Sequence, residues 1–122
     1  MITGLDHVQV AAPRGCENEA RRFYGELLGL VELDKPPLLA SRGGVWFTVG
    51  LQALHVGVTD DFVSATKAHP ALRLESSAAL ERLAARLGEA DVEIVWAEPA
   101  ETPGVRRFYV SDPWGNRLEL LA

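Results

Sequence analysis

Apolar and polar residues alternate along Leu5-Asp6-His7-Val8-Gln9-Val10, then give way to a three- and four-residue rhythm at Ala20, Phe23, Leu27 and Leu28. The first pattern is that of a half-buried strand, the second that of a helix with one apolar face. The same succession returns later in the chain. Ala68-His69-Pro70-Ala71-Leu72-Arg73-Leu74 repeats the first segment 62 residues on, and Leu80, Leu83, Ala84 and Leu87 repeat the helical face at an offset of 60. Val31-Glu32-Leu33 answers to Val92-Glu93-Ile94 and Trp46-Phe47-Thr48-Val49 to Arg107-Phe108-Tyr109-Val110, both at 61, and Leu54-His55-Val56 answers to Leu118-Glu119-Leu120 at 64. Five elements recurring in one order predict an internal duplication.

The first unit is expected to run as strand 5–11, helix 17–28 and strands near 30–34, 44–50 and 52–58. The second is expected as strand 68–74, helix 77–90 and strands near 92–97, 105–111 and 116–121. Ser76 or Ser77 supplies a helix start and Gly29 a helix end. Lys35-Pro36-Pro37 and the stretch from Pro99 to Gly104 read as loops, and Asp112-Pro113-Trp114-Gly115-Asn116 as a hairpin turn. The prediction is an α+β fold of two βαβββ modules, about residues 1–60 and 66–122 of one domain.

The chain has 122 residues, of which 48% are hydrophobic and 24% charged, enough apolar material for a packed core without disulfides. Its net charge of −5 disfavours nucleic acid as a partner. No apolar run approaches the length of a membrane span, and the opening residues lack the basic start and apolar stretch of a secretory signal. Cys16 is the only cysteine, so the expected setting is a reducing cytoplasm, and no local histidine or basic cluster marks it as a catalytic thiol.

All three histidines, His7, His55 and His69, fall on expected strands. His7 and His69 hold equivalent places in the two modules, and His55 holds the place that Glu119 takes in the second. Any one of them alone reads most simply as a hydrogen-bonded or solvent-facing strand residue, and Glu119 as the polar side of an edge strand. Their placement at repeat-related points favours a shared role instead. Three imidazoles and a carboxylate suit a divalent metal such as Zn, Ni, Fe, Mn or Co.

The repeat, the opening Leu5-Asp6-His7-Val8, the run Phe23-Tyr24-Gly25-Glu26-Leu27-Leu28-Gly29-Leu30 and the closing Phe108-Tyr109-Val110-Ser111-Asp112-Pro113-Trp114-Gly115-Asn116-Arg117-Leu118-Glu119 resemble the vicinal oxygen chelate superfamily. That group holds glyoxalase I, fosfomycin-inactivating transferases, extradiol dioxygenases and bleomycin-resistance proteins. The resemblance implies a curved mixed sheet built from paired modules, a cup with the helices on its outside, and a homodimer. It also implies metal ligands on the first and fourth strands of each module, at His7, His55, His69 and Glu119. Glyoxalase I resembles this chain at three of the four but usually carries glutamate where His55 stands.

Strand parity extends the reading. With His7 facing the cup, Gln9 does too, leaving Val8 and Val10 to the helix side. With His69 and Glu119 so placed, Leu72, Leu74, Leu118 and Leu120 belong to the core. Trp46, Thr48, Arg107 and Tyr109 then face the cup, as does Arg73. Arginines in an acidic protein point to an anionic or oxygen-rich small molecule, although exposed arginines bonded to carboxylates are a simpler alternative. The function expected is glyoxalase-like and metal-dependent, with isomerase, lyase, epoxide-opening or dioxygenase chemistry and Glu119 as the catalytic proton carrier. The rival is a metal-free, bleomycin-resistance-like protein that binds a small molecule in the cup.

Overall fold

A computed structural model describes every residue from Met1 to Ala122, and the chain divides into two compact units, Met1–Ser64 and Ala65–Ala122. The first unit contains β1 (His7–Ala12), α1 (Glu17–Ala20), which runs on into a π-helical stretch (Arg21–Leu27), β2 (Glu32–Leu33), α2 (Pro37–Ala40), β3 (Val45–Val49) and β4 (Gln52–Val58). The second contains β5 (Ala71–Arg73), α3 (Ser77–Glu89), β6 (Val95–Trp96), β7 (Arg107–Ser111) and β8 (Arg117–Leu121). Each unit folds one four-stranded sheet, in the orders β1-β4-β3-β2 and β5-β8-β7-β6. In both, the first strand of the unit joins the last in parallel, and the other pairings are antiparallel. This is the α+β, twice-repeated βαβββ arrangement that the sequence predicts. No helix is long and apolar enough to cross a membrane.

Local chemistry accounts for the elements. The Ser76 hydroxyl accepts the Ala79 N–H at 3.1 Å and starts α3, whose Leu80, Leu83 and Leu87 recur on one face and are buried. In the first unit the Leu28 N–H reaches back five residues to the Phe23 carbonyl at 2.9 Å. That widened turn lets two consecutive aromatics, Phe23 and Tyr24, both be buried, the second of which the 3.6-residue rhythm does not predict. Gly29, at φ 80°, then ends the helix. Tyr24 lies 5.8 Å, ring to ring, from Phe47 of β3, and Leu54 and Val56 of β4 complete this core. Phe108, Leu118 and Leu120 are their buried counterparts in the second unit.

The turn between β7 and β8 is tied by side chains. Asp112 Oδ1 accepts the N–H groups of Trp114 (3.0 Å) and Asn116 (2.9 Å), and the Asn116 amide donates to Asp112 Oδ2 at 2.8 Å. Asn116 Oδ1 in turn accepts the Ala65 N–H at 3.0 Å, and the Arg117 N–H donates to the Ala65 carbonyl at 2.8 Å. Both acid and amide are buried, so this network fixes the segment entering the second unit against the start of β8.

Several expectations need correction. His69 is not on a strand: Pro70 has no N–H to give a sheet, and β5 begins only at Ala71. Val8 is 39% exposed rather than packed, and Leu72 and Leu74 are half-buried. The expected loop after Pro36 contains the short α2, with Pro37 in its first turn where a missing N–H costs nothing. Strand register also moves one correspondence. Trp46 pairs with His55 and Tyr109 with Glu119, so Trp46 answers to Tyr109, an offset of 63, rather than to Arg107. A shift of two residues preserves parity, which is why the same side chains keep their faces.

Candidate functional site

The register lays out two equivalent cross-strand rows, one per unit. In the first, Gln9 of β1, His55 of β4 and Trp46 of β3 lie side by side; in the second, Ala71 of β5, Glu119 of β8 and Tyr109 of β7 do. Within the first unit the structure brings His7 and His55 together, and within the second His69 and Glu119. Nowhere does it gather three or more His, Cys, Asp or Glu side chains into a cluster able to hold a metal.

His55 is the centre of an aromatic stack. Its ring lies 3.9 Å from the Trp46 ring with only 2° between planes, and 4.1 Å from His7 at 15°. Burial lowers its pKa below the ordinary histidine value of 6.5, and His7 pushes the same way while Asp6 opposes. Burial thus favours the neutral imidazole, the form that serves as a ligand or an apolar wall. His7 is held by its neighbour, with Nδ1 2.8 Å from Asp6 Oδ1. With Nδ1 so engaged, Nε2 is the ring nitrogen that remains for a ligand.

The second pair shows the same device with a backbone partner. His69 Nδ1 lies 2.8 Å from the Lys67 carbonyl, and its Nε2 lies 3.1 Å from Glu119 Oε2. With Nδ1–H donating to the carbonyl, the 3.1 Å contact holds a proton between Nε2 and Glu119 Oε2, in the place where a cation could sit between the same two atoms. An imidazole oriented through its other nitrogen by a carbonyl or carboxylate is the usual support of a metal-binding histidine. Each pair, taken within its own unit, offers donor atoms of the kind that bind divalent transition metals. Glu119 is buried, and its other oxygen, Oε1, accepts from Arg107 Nη1 at 3.3 Å.

The remaining expected residues fall as follows. Tyr109 meets His69 edge-on at 5.8 Å and carries the Arg117 guanidinium 3.9 Å from its ring. Arg107 is half-buried between Glu119 and Glu101, whereas Arg73 is exposed on β5. The Thr48 hydroxyl donates to the Val31 carbonyl at 3.4 Å, and Gln9 is exposed with its amide close over Gly57. Cys16 is buried, and burial, followed by the charge of Glu17, raises its thiol pKa, which makes it a poor nucleophile. Sequence reasoning missed Asp6, Lys67, Glu101 and Arg117. Asp6 was visible as the residue beside His7, but the other three act through folding contacts that no local pattern carries.

The Glyoxalase/Bleomycin resistance protein/Dioxygenase superfamily profile matches residues 4–120, nearly the whole chain. The chain belongs to that superfamily. Its fold is similar to that of a glyoxalase family protein from Bacillus anthracis, with 47% identity and a TM-score of 0.91 over 99% of this chain and 95% of that one. It is also similar to the fosfomycin resistance protein FosX from Listeria monocytogenes (20% identity, TM-score 0.79, 100% and 94% covered). Lactoylglutathione lyase from Agrobacterium tumefaciens is a further likeness (19%, 0.74, 98% and 93%). At these lower identities the likeness is one of fold. No curated protein matches the chain. Superfamily membership agrees with the repeat and with both equivalent rows.

Proposed function

We propose that this superfamily member is a divalent-metal-dependent enzyme acting on a small oxygen-rich or anionic substrate, by isomerase, lyase or epoxide-opening chemistry. The observation that carries this reading is the second pair: His69 Nε2 beside Glu119 Oε2 at 3.1 Å, with the other imidazole nitrogen engaged by a backbone carbonyl. His7, held through Nδ1 by Asp6, repeats the arrangement, and the neutral His55 beside it is the fourth proposed ligand. When bound, a divalent ion supplies Lewis acidity to a substrate oxygen.

The chain's own residues supply the rest. Glu119 is the proposed proton carrier: Arg107 holds Oε1, and Oε2 already shares a hydrogen bond with His69 Nε2, a route for a proton. Arg107 and Tyr109 flank that carboxylate and orient the substrate, Trp46 contributes an apolar wall, and Gln9, Thr48 and Arg73 line the approach. A homodimer is part of the proposal, as is placement in the cytoplasm.

Elemental analysis of untagged protein tests the reading. Near-stoichiometric Zn, Ni, Fe, Mn or Co is expected, falling at least tenfold in affinity for His69→Ala and Glu119→Gln, as loss of a ligand implies. The first compounds to assay are lactoylglutathione and fosfomycin, which the names of two proteins of like fold supply. Unchanged metal content in both variants overturns the reading.

A second reading, a metal-free small-molecule binder, has its own support in the flat stack of Trp46, His55 and His7, which suits a wall against a planar ligand. Protein that takes up none of the five metals, yet binds a planar ligand with quenching of Trp46 emission, would favour it.

A further inference from the structure

The second unit contains a cleft of about 420 Å³ between the loop that follows β6 and the start of β7, lined among others by Trp96, Glu98, Pro99, Val105, Arg106 and Arg107. Arg107 is the residue that connects this cleft to Glu119. Its Nη1 donates to Glu119 and its Nη2 to Glu101 at 2.8 Å, but its Nε is buried with no hydrogen-bond partner. Other arginines of the chain show what that edge of a guanidinium normally does. Arg14 places both Nε and Nη2 on the Asp60 carboxylate, and Arg21 places both on that of Glu32. Those are forked pairs, the favoured geometry between guanidinium and carboxylate. On Arg107 the same edge is half filled, because Glu101 reaches only one of its two donors.

We infer that this cleft takes a small molecule bearing a carboxylate beside an apolar body, and that its carboxylate replaces Glu101 on Arg107 to form the fork that Glu101 leaves incomplete. An unpaired buried donor is a standing cost that a ligand with two oxygens removes. Glu101 is suited to leave, since its side chain is 53% exposed, on a loop, and regains water when it departs. The apolar part has a surface to meet. Trp96 is partly exposed and carries the Arg106 guanidinium 4.5 Å from its ring, and Val105 and Pro99 stand beside it. Arg106 is itself held by Glu81 of α3, so it stiffens the tryptophan rather than competing for the anion. Glu98 on the same wall disfavours dianions and narrows the class to singly charged carboxylates. The inference deepens the proposed function and rests on its reading that Arg107 meets the substrate. It adds the substrate's chemical class and a resident carboxylate that the substrate must displace.

Calorimetric titration of the full chain with benzoate, and with benzamide as its neutral counterpart, tests this. Benzoate should bind with a dissociation constant of about 1 mM, the range a small fragment reaches, and benzamide should not saturate. Glu101→Gln should tighten benzoate about tenfold by removing a charged competitor. Arg107→Lys, which keeps the charge but loses the fork, should weaken it about tenfold. Circular dichroism of each variant verifies folding. Absence of benzoate binding in both wild type and Glu101→Gln, equal binding of benzamide, or no tightening in Glu101→Gln overturns the inference. Metal content of the same samples separates the two proposals: metal retained without benzoate binding defeats this inference alone, and benzoate bound by protein that takes up no metal defeats the metal reading alone.

Discussion

Single residues carry most of the chemistry, and they do so through their immediate partners. His7 and His69 differ in context, one on a strand and one ahead of it, yet each has Nδ1 engaged by an oxygen, and Nε2 of His69 meets Glu119. Their equivalence was legible because the repeat places them 62 residues apart. Their orientation was not, because the Lys67 carbonyl and the Glu119 carboxylate reach His69 only through the fold. Arg107 shows the same limit: strand parity put it on the face opposite Phe108 and Val110, but its division between Glu101 and Glu119 depends on a loop whose path no periodicity describes. Cys16 allows a prediction at this scale. Its folded-state pKa lies above the ordinary thiol value of 9.0, so the folded protein holds the proton more tightly than the unfolded chain. The resulting stability is complete below that value and is lost as pH rises through it toward the folded-state pKa. Urea midpoints measured from pH 7 upward should therefore fall more steeply for wild type than for Cys16→Ala; parallel profiles would contradict the assignment.

At the level of elements, the apolar rhythm predicted every strand and the two longer helical segments, missed α2, and overstated the lengths of β2, β5 and β6. Short strands result where proline removes a ladder donor, as Pro70 does before β5, or where a glycine- and proline-rich loop follows, as after β6. The Asp112–Asn116 turn was recognised from its proline and glycine, whereas its role in anchoring Ala65 needed the structure. Asn116→Ala removes the amide's hydrogen bonds to Asp112 Oδ2 and to the Ala65 N–H. A loss of about 2–4 kcal/mol is expected, read by chemical denaturation. A loss below half a kilocalorie would show that water replaces the amide. Gly44 sets a second test. It has φ +84°, and a Cβ there would stand 2.2 Å from the Val56 carbonyl oxygen. Gly44→Ala should cost about 3 kcal/mol or more, and a neutral result would mean that the β3 entry can move aside.

For the whole molecule, the duplication is the feature most fully legible from sequence. Two apolar faces, two sheets and two rows of side chains recur because each module must bury its own helix against its own strands. What the repeat could not convey was which pairs of candidate ligands meet; the structure answers with one pair in each unit. If the metal reading holds, saturating metal should raise the unfolding free energy by about 2.7 kcal/mol at a hundredfold excess over its dissociation constant. Thermal melts with and without chelator measure this, and coincident curves would count against a bound ion. Sedimentation at several concentrations tests the proposed homodimer in the same preparation.

The paired rows have an evolutionary consequence. Gln9, His55 and Trp46 stand in one copy where Ala71, Glu119 and Tyr109 stand in the other, so the halves share a frame but have diverged in what they display. A tandem made of two second halves would carry a histidine and a glutamate twice over. The present chain departs from that balanced ancestor-like set at one donor, and a single replacement, His55→Glu, would make its halves ligand-for-ligand alike.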